Sequence, residues 1–162
     1  MGREQGLAER LREERRSLRA YRLERGERFY ELWLSSPQLG LRGRLDMAIR
    51  TDDNVDGRLE GIPVDYKLTP GRTLRHFMRQ LVAYGMLLEE AWGLPVQRGF
   101  LYLIPARRAR EMAITAEARQ EVLRAVEEMA EIALRERMPP PPPRGARGKC
   151  GICEFRRFCN DV

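Results

Sequence analysis

Lysine is nearly absent from this chain: of its 30 basic residues only Lys67 and Lys149 are lysine, and the rest are arginine. The two cations are not interchangeable where a compact, titratable ammonium is needed, so a lysine kept at position 67 is informative. Histidine occurs once, as His76, and the three cysteines Cys150, Cys153 and Cys159 all lie at the C-terminal end. No apolar run approaches the ~20 residues that cross a bilayer. The N-terminus also lacks the basic start and apolar segment of a signal peptide. No membrane association is expected, and the cytoplasm is the expected compartment. There is no internal repeat, which argues against a solenoid or array.

The 162 residues are enough for one domain with a real core plus a small appendage. An apolar fraction of 43% and a charged fraction of 33% are those of a globular chain. The net charge of +6 and pI near 9.7 fit a polyanionic partner and fit a solvated basic surface equally well. Three parts are expected: a main domain over 1–138, a tether over 139–148 and a cysteine tail over 149–162. The uninterrupted proline run from Pro139 to Pro143 can be neither helix nor central strand, and so reads as a stiff, extended tether.

Residues 3 to about 26 read as a helix, with Leu7, Leu11, Leu18 and Tyr21 on one side. Arg12, Arg15, Arg16, Arg19 and Arg22 form a stripe on the other, more often a solvated face than a phosphate track. Extended segments follow over 27–35, 41–49 and 59–67. In the second, Leu41, Gly43, Leu45, Met47 and Ile49 point one way and Arg42, Arg44, Asp46 and Ala48 the other. The turn formers of 51–57 make the second and third segments a hairpin, which brings Asp46 and Asp65 onto neighbouring strands. A helix over 73–92 buries Leu74, Phe77, Leu81 and Leu88 and stops at Gly93. Strands over 96–104 and 111–115 precede a helix that Thr115 caps, with Leu123, Val126, Ala130 and Leu134 facing inward. The fold class is α/β: a mixed central sheet flanked by helices, with the cysteine tail packed back against the first helix.

Two acidic oxygen donors suit a hard cation such as Mg²⁺ or Mn²⁺ that keeps several waters, and Asp46 and Asp65 are the expected ligands. The backbone carbonyl of Tyr66 is a third oxygen if the strand turns it inward. Lys67, two residues after Asp65, emerges on the same strand face and can hold or deprotonate an attacking water. Gln80 and Tyr84 share one side of their helix and can hydrogen-bond a phosphate or its water shell. His76 continues that stripe, with a helix-surface or supporting role expected. Each motif is weak alone; their order, with a hairpin between the first two and a helix under the third, carries the reading.

The succession Gly43-Arg-Leu-Asp46, Pro63-Val-Asp65-Tyr-Lys67 and Gln80-Leu-Val-Ala-Tyr84, followed by a cysteine-rich end, resembles the RecB-like branch of the PD-(D/E)xK nucleases over about residues 27–162. Within it the nearest likeness is to the CRISPR-associated exonuclease Cas-four family. The resemblance implies a metal-dependent DNA exonuclease or endonuclease that trims spacer precursors beside the CRISPR integrase and its small partner subunit. Asp46, Asp65, Lys67, Gln80 and Tyr84 would be its catalytic set. A non-catalytic subunit that recognises DNA ends or a flanking motif, and a RecB-like nuclease of recombinational repair, are the alternatives.

Cys150-x2-Cys153-x5-Cys159 has the clustering of a metal site, and spacing alone does not choose between zinc and iron-sulfur. The resemblance implies a [4Fe-4S] cluster with a fourth cysteine near the N-terminus, and a metal-binding histidine on the first helix. This sequence has neither, and Ala8 or Glu9 stands about where the histidine would. An N-terminally shortened chain is the expectation, ahead of a non-cysteine fourth ligand or an absent cluster.

Overall fold

The computed structural model describes residues 18–69 and 75–138, together with 148, 150, 151, 153, 154 and 156. Residues 3–17 of the expected N-terminal helix, the expected core residue Leu74, the proline run and Cys159 lie outside the described residues. By contacts the chain divides into two compact units, Met1–Leu123 and Arg124–Val162.

The first unit opens with a 3-10 turn at Leu18–Tyr21. The expected helix does not continue to Gly26: Arg22 takes a left-handed φ of 57°, and the chain runs on without helix to the first strand. Strands β1 (Glu27–Ser36), β2 (Leu41–Thr51) and β3 (Glu60–Lys67) are followed by helix α1 (Arg75–Trp92), then strands β4 (Arg98–Leu103) and β5 (Arg108–Ala113). Helix α2 (Ala116–Leu134) begins in the first unit and ends in the second. Thr115 caps it as expected, its Oγ accepting the Ala118 amide at 3.2 Å. No helix among the described residues is long and apolar enough to cross a membrane.

The five strands lie in sequence order in one sheet. Pairing is antiparallel between β1 and β2, between β2 and β3, and between β4 and β5, and parallel between β3 and β4. The parallel step needs a crossover, and α1 makes it. One face packs Met47, Ile49, Ile62, Val64, Phe100 and Tyr102 under Leu18, Tyr21 and Leu23. On the other, Leu81 of α1 packs on Leu101 and Leu103, with Phe77 and Met112 at the margin. The expected inward positions Leu81 and Leu88 are fully buried, and Val82, Gly85, Met86 and Leu87 join them. Helix α1 lies so close to its support that a Cβ on Gly85 would meet Ile114 Cδ1 at 2.7 Å.

Two expectations about side-chain direction need correction. Met47 and Ile49 lie on the face covered by Tyr21, whereas a Cβ on Gly43 would point at Tyr84 of α1, on the opposite face. The alternation slips between Gly43 and Met47. Opposite, Glu31 adopts a φ of 52°, and the facing pair Glu31 and Asp46 is skipped in the register. A left-handed residue within a strand reverses the face that its neighbours present. In α2, only Val122 is buried; Leu123 and Val126 are half-buried, and Ala130 and Leu134 are exposed.

Of the second unit, the described part holds the end of α2, with an Arg135–Glu131 ion pair at 3.6 Å, and a turn around Cys150 and Cys153. There the Cys153 amide donates to the Cys150 carbonyl and the Arg156 amide to the Cys153 carbonyl. Cys150 is half-buried and Cys153 exposed, both with free thiols.

Candidate active site

Strand β3 changes neighbours along its length. It pairs with β2 over Glu60–Val64 and with β4 over Val64–Lys67. Pro63, which has no N–H to give a ladder, stands one residue before the handover. Beyond Met47 and Val64 the β2–β3 ladder ends, and the strands fork. Asp46 and Asp65 are the first residues past that fork. The Asp46 carboxylate spans it, its Oδ2 accepting the Tyr66 amide at 2.8 Å.

Asp65 is 3% exposed. Its Oδ2 lies 2.7 Å from Lys67 Nζ, an ion pair by distance, yet no donor reaches that buried oxygen at hydrogen-bonding angles. The two are paired by charge, and the missing alignment leaves that oxygen with acceptor capacity to spare. The aligned hydrogen bond of Lys67 goes to Gln80 Oε1, at 2.8 Å. Because an ammonium only donates, the Gln80 amide must turn its oxygen to Lys67, and its Nε2 then points to Tyr84 Oη at 3.4 Å. The Tyr84 hydroxyl donates in turn to the Arg44 carbonyl at 2.8 Å. One chain of polar contacts thus ties β3 to α1 and α1 back to β2. The Lys67 ammonium also sits 4.7 Å from the centre of the Phe77 ring.

Burial pushes the Asp65 carboxyl up to about 7, against the pull of Lys67, and the nearby Asp46 carboxyl adds to the rise. The Tyr84 phenol is raised too, first by burial and further by the negative charge of Asp65 and Asp46, so at neutral pH it is a hydrogen-bond donor and not a base. Two carboxylates crowded at one buried point, one with an oxygen lacking an aligned donor, are a donor set that a divalent oxygen-seeking cation fits. Among the described residues no three or more His, Cys, Asp or Glu gather as a metal site.

Gly-x-x-Asp carries little as a motif, but Gly43 has a definite reason here. A Cβ at that position would stand 2.9 Å from Tyr84 Cε1, so only glycine lets the ring lie flat on β2. The structure brings Asp46, Asp65, Lys67, Gln80 and Tyr84 together. His76 is exposed, its ring centre 3.8 Å from that of Phe77, as a helix-surface residue would be. Sequence reasoning missed two participants: Phe77, taken for core only although it precedes Gln80 by one turn, and the Arg44 carbonyl, which no side-chain pattern can signal.

The model of the PD-(D/E)XK nuclease superfamily matches residues 2–160. The chain belongs to this superfamily. It is by that membership a nuclease, and nucleases of this superfamily generally use divalent metal ions such as Mg²⁺ or Mn²⁺. It is 28% identical over 149 residues to a CRISPR-associated exonuclease Cas4 of Francisella tularensis subsp. novicida, covering 92% of this chain and 71% of that protein. It is 32% identical over 132 residues to a CRISPR-associated exonuclease Cas4/endonuclease Cas1 fusion of Geobacter sulfurreducens, where it covers 78% of itself but only 22% of the fusion. A solved structure of a protein designated an exonuclease, from Eubacterium rectale, aligns over 98% of this chain and 60% of its own, with 17% identity and a TM-score of 0.48.

Proposed function

We propose that this nuclease cuts DNA with a divalent metal and processes spacer precursors in CRISPR adaptation, in the cytoplasm, beside the integrase and its small partner subunit. The observation that carries the chemistry is the buried, proton-hungry Asp65 beside Asp46, joined through Lys67 and Gln80 to Tyr84. The CRISPR setting rests on the Cas4 relatives, and the integrase partner on the relative in which Cas4 and Cas1 share one chain.

In this reading Asp46 and Asp65 hold Mg²⁺ or Mn²⁺, with the Tyr66 carbonyl as a third protein oxygen. A metal bound there would supply a more acidic water and would offset charge on the phosphate during in-line attack. Lys67, as an ammonium, would donate to the attacking water and hold it in line. Gln80 keeps the ammonium aimed across the cleft. Tyr84, held protonated, donates to a phosphate oxygen in place of the Arg44 carbonyl. Phe77 shields one side of the ammonium from bulk water. Cys150, Cys153 and Cys159 would bind a [4Fe-4S] cluster or zinc; the tight Cys150–Cys153 turn suits two thiolates on one metal centre. The tether over 139–148 would join this tail to the nuclease domain.

The test is cleavage of end-labelled single- and double-stranded DNA in Mn²⁺, Mg²⁺ or EDTA by wild type, Asp46→Ala and Lys67→Ala. The expected result is metal-dependent product with wild type and a loss of at least about a thousandfold in either variant, as for removal of a group that acts on the reacting atoms. Cleavage that survives both substitutions sinks the assignment. The other reading is a subunit that recognises DNA ends without cutting. DNA binding with no turnover in either metal would select it.

A further inference from the structure

Acidic residues are missing from two stretches of this chain: none lies between Asp65 and Glu89, and none between Glu90 and Glu111. Together the two stretches carry eight lysines and arginines, more than the whole net charge of +6, so the positive charge is gathered there and not spread over the surface. The second stretch holds β4, its turn and the start of β5, where Arg107, Arg108 and Arg110 are exposed. The strand register places two of them. Lys67 pairs with Leu103 and Leu103 with Arg108, while Asp65 pairs with Leu101 and Leu101 with Arg110. Residues paired side by side across strands present the same face. Met112, two residues past Arg110, packs with Leu81, Leu101 and Leu103, which makes this the face under α1. Arg108 and Arg110 therefore share a sheet face with Lys67 and Asp65, two strand spacings or about 10 Å away. The Ile104 amide, where the β4–β5 turn begins, donates to the Lys67 carbonyl at 3.0 Å. Leu81 covers the middle residue of each row, so the arginines stand on the β5 side of α1, while Gln80 and Tyr84 reach β3 and β2 from the other. Among the described residues neither arginine has an ion-pair partner, whereas Glu111 is taken up by Arg22 and Arg98, and Glu121 by Arg79.

We propose that Arg108 and Arg110 hold the DNA backbone at phosphates other than the one cut, on the β5 side of α1. This rests on the proposed nuclease reading. The two residues stand about 7 Å apart along β5, closer than the ~10 Å screening length of 0.1 M salt, so their guanidinium groups repel and a run of anions laid along them relieves that repulsion. Arginine suits the task, because its planar fork meets two phosphate oxygens at once. Contacts of this kind fix where the strand lies without reading its sequence, and they take no part in attack on the phosphate.

Binding in EDTA tests this apart from cleavage. Fluorescence anisotropy with full-length protein would follow a labelled oligothymidylate and a labelled duplex over about 50 to 200 mM salt. Arg108→Gln combined with Arg110→Gln should weaken binding at least about tenfold at the low end. It should also flatten the plot of log affinity against log salt by about 1.4 on the single strand and about 1.8 on the duplex, as for the loss of two phosphate contacts. Arg108→Lys with Arg110→Lys keeps both charges and should keep the slope. Arg42→Gln with Arg58→Gln removes the same charge from exposed positions on the other sheet face and before the start of β3, and should leave the slope unchanged. In Mn²⁺ the Arg108 and Arg110 glutamine variant should raise KM with kcat within about threefold, since the attacked phosphate is held elsewhere. A wild-type slope in that variant overturns the proposal. So does an equal change in the Arg42 and Arg58 variant, which would make the effect one of net charge, and so does a loss in kcat with KM unchanged. Slopes that differ as expected, from a wild type that never cuts in Mn²⁺, would instead overturn the nuclease reading and leave the backbone contact standing.

Discussion

Strand β3 carries two buried carboxylates five residues apart, and they live in opposite ways. Glu60, at its start, accepts a 2.7 Å hydrogen bond from the Arg98 guanidinium, which also approaches Glu111 at 3.8 Å. Asp65, near its end, has Lys67 at 2.7 Å without an aligned hydrogen bond, a second carboxylate as neighbour, and a proton affinity raised to about 7. A buried charge that only has to hold a fold is matched by a planar, always-charged partner. Asp65, proposed above to hold a cation, is left under-satisfied, a deficit that functional sites commonly carry.

The sharpest way to break the comparison is to neutralise each carboxyl without changing its shape. Asp65→Asn is expected to cut metal-dependent cleavage by about a thousandfold or more. Glu60→Gln should leave the rate within about threefold while lowering stability by about 2 to 3 kcal/mol in urea unfolding, because the half-buried Arg98 loses the charge of its near partner and keeps only the longer ion pair to Glu111. If both substitutions damage activity alike, the division between structural and functional carboxylate fails.

Titration sharpens the same contrast. The folded-state value of Asp65 lies above the unfolded one, so the native protein binds the extra proton between them. In metal-free protein this contribution to stability is fully present below about pH 4 and is lost as pH rises through about 7, on the order of 2 to 4 kcal/mol in all. Denaturant midpoints for wild type should therefore fall across that window relative to Asp65→Asn, whose curve lacks this component. Metal affinity should run the other way and rise through about pH 7, since the carboxyl must lose its proton to bind. Parallel curves for the two proteins would remove the case for an unusual Asp65.

The smallest expected effect belongs to Gly43. Gly43→Ala places a methyl against the Tyr84 ring, which should shift the phenol off the Arg44 carbonyl and slow cleavage by about tenfold, with stability changed by about 1 kcal/mol. An alanine variant with wild-type rate would detach Tyr84 from the chemistry.

Much of this was readable from the chain. The hairpin between Asp46 and Asp65 followed from the turn formers of 51–57, and the helix holding Gln80 and Tyr84 followed from its apolar spacing, ending at Trp92 as Gly93 foretells. Thr115 marked the start of α2 because a cap is a local hydrogen bond. Reading failed where neighbours far off in sequence decide. Ala130 and Leu134 have the right period and no burial, since period says which face is apolar and not whether anything covers it. The slip at Glu31 and Asp46 reversed half of β2, because alternation assumes an uninterrupted pleat.

What the sequence by itself determined, then, is the order of the elements and the kinds of residue that meet: two aspartates, one lysine, a glutamine and a tyrosine, in spacings that turns and helical period enforce locally. Only the tertiary structure decided that β3 leaves β2 for β4 one residue before Asp65, opening the fork. It also decided that Asp65 is desolvated beside Asp46, that Lys67 hydrogen-bonds Gln80 while pairing with Asp65 by charge alone, and that Trp33 is exposed while Trp92 is half-buried against Phe29. Proton affinity and exposure are set by whatever surrounds a side chain, and those surroundings come from strands and helices that the chain brings together only on folding.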